Sequence, residues 1–376
     1  MRIAFDHQAF CLQTTGGISR YFCRLAQELV TIEQTVGIFA PLYRNQYAKG
    51  LDKKMVHGIG VRQYPPKTAS AIMHANAWLS KRQIRSWQPD VVHETYFSST
   101  ASAPAKTPIV VTVFDMIGEL YGVDGTDLAS RKTSKKYAAV SRAERVICIS
   151  EKTRADLINL FDTPAEKISV VYLGCDETTQ NKALKSAGQG KRDTRPYLLY
   201  VGLRGGYKNF DKLLEAIASS KTLKADFDLI AFGGGAFNSS EAKQMDALQF
   251  KADQVVQVSG DDQVLYDLYE RAAALVYPST YEGFGLPPLE AMARDCPVVS
   301  SQASVMPEII DQAAEFFDPA ESEAIVNAIE KVVYDKERRE QLIELGRERV
   351  KRFTWQRCAQ ETLSVYRELG SRCKAL

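Results

Sequence analysis

Much that would place a chain quickly is missing from these 376 residues. Cysteine is sparse: seven residues, at 11, 23, 148, 175, 296, 358 and 373, odd in number and scattered, with no C-x-x-C pair. That spacing excludes a disulfide framework and predicts buried free thiols in a reducing compartment. No apolar run approaches membrane-spanning length, and the chain opens directly on the strand-like Met1-Arg2-Ile3-Ala4-Phe5 with no apolar leader. A cytoplasmic protein is the expectation. Neither a Walker loop ending in Gly-Lys-Ser/Thr nor a G-x-G-x-x-G fingerprint follows the glycine turn at 202–206. A D-x-D string, Asp226-Phe227-Asp228, precedes its strand instead of ending one and reads as chance. Histidine is confined to positions 7, 57, 74 and 93. Net charge is only +2, and no nucleic-acid partner is expected.

What is present has a clear rhythm. The length suits two domains of ordinary size. In the first half, short apolar runs alternate with helical patterns: Ile3–Phe5, Val36–Phe39, Val91–His93, Ile109–Phe114, Val146–Ile149 and Ile168–Tyr172. From 178 to 196 the composition turns polar and reads as a linker. The alternation then resumes with Tyr197–Val201, Asp228–Phe232, Val255–Val258 and Ala274–Tyr277. The prediction is an α/β protein of two Rossmann-like, doubly wound parallel-sheet domains, residues 1–177 and 197–350, with residues 351–376 as a terminal helix. Sheets of that kind bind ligands at the carboxyl ends of their strands.

Four strand ends stand out. After the first strand, Gly16-Gly17 opens an amphipathic helix, where backbone amides can approach a diphosphate or simply make a tight turn. After Tyr197–Val201 come Arg204 and Lys208 around a glycine turn, two cations able to neutralise a pyrophosphate leaving group. Gly233-Gly234-Gly235 follows the next strand and can admit phosphate or base. After Ala274–Tyr277 runs Glu282-Gly283-Phe284-Gly285-Leu286-Pro287-Pro288-Leu289-Glu290, whose paired prolines suit a first helical turn. Two carboxylates beside an anion site suit the hydroxyls of a sugar or ribose.

This last string resembles the E-x7-E signature of retaining GT-B glycosyltransferases of family 4, and the resemblance extends over nearly the whole chain. It implies two domains facing a cleft, with the final helix returning to the first domain. It implies a nucleotide-diphosphate-sugar donor, no metal and no further cofactor, with Glu282 on the donor sugar beside Gly283, Phe284 and Gly285. Glu290 would hold the ribose diol, and Gly16, Gly17, Ser150, Arg204, Lys208, Gly234, Gly285 and Leu286 would line the nucleotide and phosphates. Family-4 enzymes often carry a His-Asp pair after the strand ending at Phe114; here Phe114 stands in the histidine's place, leaving Asp115 as the polar group, with His93 as a possible substitute. Ser150 or Thr153 is also expected to cap the helix at 154–160. The Gly-Gly-Tyr-Lys-Asn and Ser-Gly-Asp-Asp segments look most like bacterial mannosyltransferases of O-antigen and exopolysaccharide assembly that use GDP-mannose.

Two features concern the acceptor. Between Leu42 and Pro89 there are nine Lys/Arg against the single acid Asp52, interleaved with Trp78 and Trp87, and a second basic run spans Arg131 to Arg145. The composition fits peripheral contact with an anionic membrane or an ordinary helix with a solvated basic face. The expected acceptor is a saccharide or a lipid-linked saccharide. A sugar-nucleotide 2-epimerase, a transferase using a UDP- or dTDP-sugar, and a non-catalytic nucleotide-sugar scaffold remain open.

Overall fold

The structure, a computed structural model, describes residues 1–122, 133–176 and 195–373. The linker expected at 178–196 lies outside the described residues apart from its last two, as do Arg131 and Lys132 of the second basic run. Two compact units are formed, one by Met1–Gly174 with Trp355–Leu376 and the other by Cys175–Thr354. Sequence composition puts these divisions at 177 and 350.

The first unit is built on strands β1 (Arg2–Phe5) and β2 (Thr35–Ile38), a short parallel pair β3 (Leu42–Tyr43) and β4 (Ile59–Gly60), and then β5 (Val91–Glu94), β6 (Ile109–Val113), β7 (Arg145–Cys148) and β8 (Ile168–Val170). Its main sheet is parallel, in the order β2-β1-β5-β6-β7-β8. The second unit carries β9 (Tyr197–Val201), β10 (Asp228–Phe232), β11 (Val255–Val258), β12 (Ala274–Tyr277), β13 (Val298–Ser301) and β14 (Glu315–Phe317), parallel in the order β11-β10-β9-β12-β13-β14.

The central strands are buried along their length because helices cover both faces, so no alternation of buried and solvated positions is needed. All five residues of β6 and all four of β12 are buried. In the second unit Leu198, Tyr200, Phe210, Leu214, Val276 and Ile329 meet in one core. The strands at 42–43, 59–60 and 315–317, which the sequence pattern does not announce, are only two or three residues long.

The helix Trp355–Cys373 belongs to the first unit. Trp355, Cys358, Thr362, Val365 and Tyr366 are buried along its inner side. There Trp355 meets Tyr21 of the helix Gly17–Thr31, and Tyr366 reaches His93 at 2.6 Å. His93 is fully buried, and its other ring nitrogen is 2.8 Å from Thr112 Oγ1. Burial pushes its pKa down to about 3. Both nitrogens are therefore engaged in a neutral ring, which removes His93 as a substitute for the histidine missing at Phe114. Its role is to tie the terminal helix to β5 and β6.

Candidate active site

Chain direction reverses at one point in each main sheet. In the second unit β9 leads outward to β10 and β11, and the chain then returns to place β12 on the other side of β9. Loops leaving the carboxyl ends of β9 and β12 must diverge, which opens a crevice between them. The first loop is Gly202–Asn209 and the second runs from Pro278 to Gly285. They are stitched together away from the opening: the Thr280 amide donates to Tyr207 O at 2.8 Å, and Asn209 Nδ2 donates to Pro278 O at 3.2 Å and Pro319 O at 2.8 Å.

That stitching brings Lys208 to Glu282, with Nζ 2.6 Å from Oε1 and side-chain exposures of 15% and 10%. Tyr277, the last residue of β12, donates its hydroxyl to the same Oε1 at 2.7 Å. Burial and the neighbouring Glu282 charge push the Tyr277 phenol well above its ordinary pKa, so it remains a donor. Lys208 also lies 5.6 Å from the Tyr277 ring centroid. The Glu282 backbone is fixed by Ser304, whose Oγ accepts from its amide at 3.3 Å and donates to its carbonyl at 3.0 Å. The result is a partly dehydrated cation and carboxylate at the mouth of the crevice, where desolvation strengthens any interaction they make.

Arg204 goes elsewhere. Its Nε donates to Glu241 Oε1 at 2.7 Å, one terminal nitrogen donates to Gly233 O at 2.8 Å, and the other to Ala236 O at 3.1 Å and Glu241 Oε2 at 3.3 Å. The guanidinium also covers the Phe237 ring at 4.7 Å. Burial opposes the charge on Glu241, but Arg204 and the Asn238 amide override it and hold the carboxyl below its ordinary pKa. The expected pair of pyrophosphate cations is thus divided: Lys208 faces Glu282, while Arg204 is the peg around which the glycine turn after β10 is wrapped. Gly234 has φ +70°, and a Cβ there would lie 2.6 Å from an Arg204 terminal nitrogen. A cavity of about 450 Å³ beside it is lined by Arg204, Gly205, Gly234, Asn238 and Glu241.

Glu290 lies in the helix Leu286–Met292, which carries its prolines in the first turn. It is buried and accepts from the Tyr269 hydroxyl at 3.4 Å. Gly285, at φ +110°, turns the chain into that helix, and a Cβ on it would come 2.7 Å from Met306 Cε. Gly283 and Phe284 are buried, Phe284 edge-on to Phe353, and Leu286 is half-buried.

The remaining expected residues belong to the first unit. Gly16 precedes the helix Gly17–Thr31, where the Gln13 side chain already accepts from the Ser19 amide at 3.0 Å. A Cβ on Gly17 would meet nothing within 4 Å. Asp115 follows β6 and accepts from the Ile117 amide at 3.0 Å, while Lys136 donates to its carbonyl at 3.0 Å. Ser150 caps the helix Glu151–Phe161 by accepting from the Thr153 amide at 3.1 Å. Asp226 and Asp228 are separately engaged, the first by the Tyr334 hydroxyl and the second by Arg195. Among the described residues no cluster of three or more His, Cys, Asp or Glu could hold a metal ion.

Sequence reading missed Tyr277, Glu241 and Tyr269. Glu241 carried a signal, because Asn238-x-x-Glu241 is a capping box, and both of its hydrogen bonds form. The two tyrosines carried none, since buried aromatics in a strand and a helix look like core.

Comparison with known proteins places the chain in a family. The family described as "Glycosyltransferase Family 4" matches residues 15–179, and "Glycosyl transferases group 1" matches residues 181–349. The chain is 29% identical over 240 residues to the O-antigen chain mannosyltransferase B of Escherichia coli, covering 62% of this chain and 63% of that protein. It is 30% identical over 197 residues to the O-antigen chain mannosyltransferase RfbU of Salmonella typhimurium, covering 52% of each. The matches thus span somewhat over half the length of these curated relatives. The crystal structure of WaaG, a glycosyltransferase involved in lipopolysaccharide biosynthesis, gives a TM-score of 0.71 at 17% identity, over 97% of this chain and 99% of that one. The two-sheet architecture is accordingly GT-B, and with both halves matched the chain belongs to the group 1, family 4 glycosyltransferases.

Proposed function

We propose that this protein transfers a mannosyl group from GDP-mannose to a saccharide or lipid-linked saccharide acceptor in the assembly of a bacterial surface polysaccharide, with retention at the anomeric carbon. The observation that carries this reading is the Lys208–Glu282 pair at the β9/β12 crevice. As the bond from the anomeric carbon to the phosphate oxygen breaks, negative charge grows on the nucleoside diphosphate, and the Lys208 ammonium is placed to stabilise it. Glu282, released from Lys208, accepts hydrogen bonds from the sugar hydroxyls. Glu290 takes the ribose diol. The acceptor hydroxyl attacks from the face the leaving group vacates and gives its proton to the departing phosphate oxygen. No metal or further cofactor is assigned a part in this scheme. The mannosyl assignment is supported by the names of the two O-antigen mannosyltransferases to which the chain is similar.

The helix Ala69–Trp87 supports a peripheral site on an anionic membrane face for a lipid-linked acceptor. It contains no acid, and it exposes Trp78 at 63% together with Lys81, Arg82 and Arg85. Among the described residues no helix is long and apolar enough to cross a membrane.

A melting screen against GDP-mannose, UDP-glucose, dTDP-glucose and ADP-glucose tests the donor, because a ligand selective for the folded state raises Tm with its affinity. GDP-mannose is expected to give the largest shift, and Lys208→Met to weaken binding of GDP by roughly 10- to 100-fold, the range for a lost charge-assisted contact. A larger shift with another base overturns the donor. Undiminished GDP binding and turnover in Lys208→Met overturn the site.

A further inference from the structure

We propose that Tyr277 is a positioning residue for sugar transfer: its hydroxyl locks one carboxylate oxygen of Glu282, so that the other oxygen is the one offered to the donor sugar. This rests on reading Glu282 as the contact to that sugar.

Two donors converge on Glu282 Oε1, Lys208 Nζ at 2.6 Å and the Tyr277 hydroxyl at 2.7 Å. Oε2 accepts no hydrogen bond from the described residues. The two donors differ in freedom. Lys208 sits on a flexible stem at the end of a glycine turn, and its ammonium is the group a pyrophosphate would draw away. Tyr277 is 2% exposed at the end of the central strand β12, its backbone in register with Ser300 of β13. When phosphate takes Lys208, Glu282 keeps only the Tyr277 hydrogen bond to define its rotamer. Without that bond the carboxylate is free to follow Lys208 toward the phosphate, where its charge repels the leaving group, or to rotate so that neither oxygen meets a sugar hydroxyl. The ion pair and the tyrosine together form a substitution device: Lys208 and Glu282 satisfy each other's charge, and the tyrosine holds the acid in place when a donor's phosphate draws the lysine.

The test is calorimetric titration of GDP and GDP-mannose, with UDP and UDP-glucose in parallel, into wild type, Tyr277→Phe, Glu282→Gln and the double variant, together with steady-state kinetics. Tyr277→Phe is expected to bind the nucleoside diphosphate within about twofold of wild type. Its kcat and the extra affinity contributed by the sugar are expected to fall roughly tenfold, as for loss of a hydrogen bond to a charged group. Added to Glu282→Gln, the same change should have no further effect, because the two act through one contact. The proposal is overturned if Tyr277→Phe turns over normally, if it loses diphosphate and sugar-nucleotide affinity alike, or if its effect persists in the Glu282→Gln background. If Glu282→Gln itself retains full turnover and sugar selectivity, the reading of Glu282 fails and this proposal falls with it. Should Tyr277→Phe not fold, 3-fluorotyrosine at position 277 keeps the ring and makes a stronger donor; a changed kcat at constant GDP affinity then supports the role, and an unchanged kcat overturns it.

Discussion

Arg204 and Glu241 form a pair with side-chain exposures of 4% and 10%, and three backbone carbonyls of the glycine turn lean on the same guanidinium. Removing one partner strands the other charge, at a cost of about 3–5 kcal/mol for a buried pair, whereas removing both costs less. Arg204→Met should therefore lower the denaturation midpoint clearly, and Arg204→Met with Glu241→Met should recover part of the loss. Equal midpoints for wild type and the single variant would remove the structural role. His93 gives a prediction with a definite sign. Its folded pKa of about 3 lies below the ordinary value near 6.5, so between those limits the unfolded chain binds the proton and the folded chain does not. Its contribution is fully present above about pH 6.5 and is lost as pH falls toward 3. His93→Gln should be less stable at pH 7 yet show a flatter acid limb, measured as Tm from pH 7 to pH 4.

At the scale of elements, glycine turns fix the loops that carry the site. Gly234→Ala forces an L side chain into φ +70° and drives its Cβ onto Arg204, and Gly285→Ala does the same at φ +110° against Met306. Each should cost on the order of 1–3 kcal/mol of stability. Gly285→Ala should also impair turnover, because that turn leads from Glu282 to Glu290. Chemical denaturation paired with initial rates separates the two effects. Much of this level was legible in the sequence. The strands at 197–201, 228–232 and 274–277 were readable as apolar runs, and the Ser150 cap, the double-proline helix start and the apolar side of the last helix were readable from residue type and spacing. β14 was not, because three residues carry no period, and Glu315 within it is paired with Lys331 and Arg338 through tertiary contact.

The whole chain is divided so that its last helix completes the first unit and not the second, which it follows directly. Deleting Trp355–Leu376 would uncover Tyr21 and leave His93 Nδ1 without its Tyr366 partner. The truncated protein should lose the first unit's cooperative melting transition. Residues 175–354, which hold a core of their own, should still melt cooperatively and bind GDP. A truncated chain with both transitions intact would show that the helix is dispensable.

The sequence by itself determined the α/β class, the position of most of the longer strands, β13 excepted, and the candidate residues at strand ends, because local propensity and burial on both faces write themselves into runs and turns. It did not determine which candidates meet. Arg204 and Lys208 are four residues apart, yet the glycine turn sends one to Glu241 and the other to Glu282. Those partners lie 37 and 74 residues away, and only the order of strands around β9 brings them within reach. Charge and spacing nominate a cation, and the packing of the loops decides which carboxylate it meets.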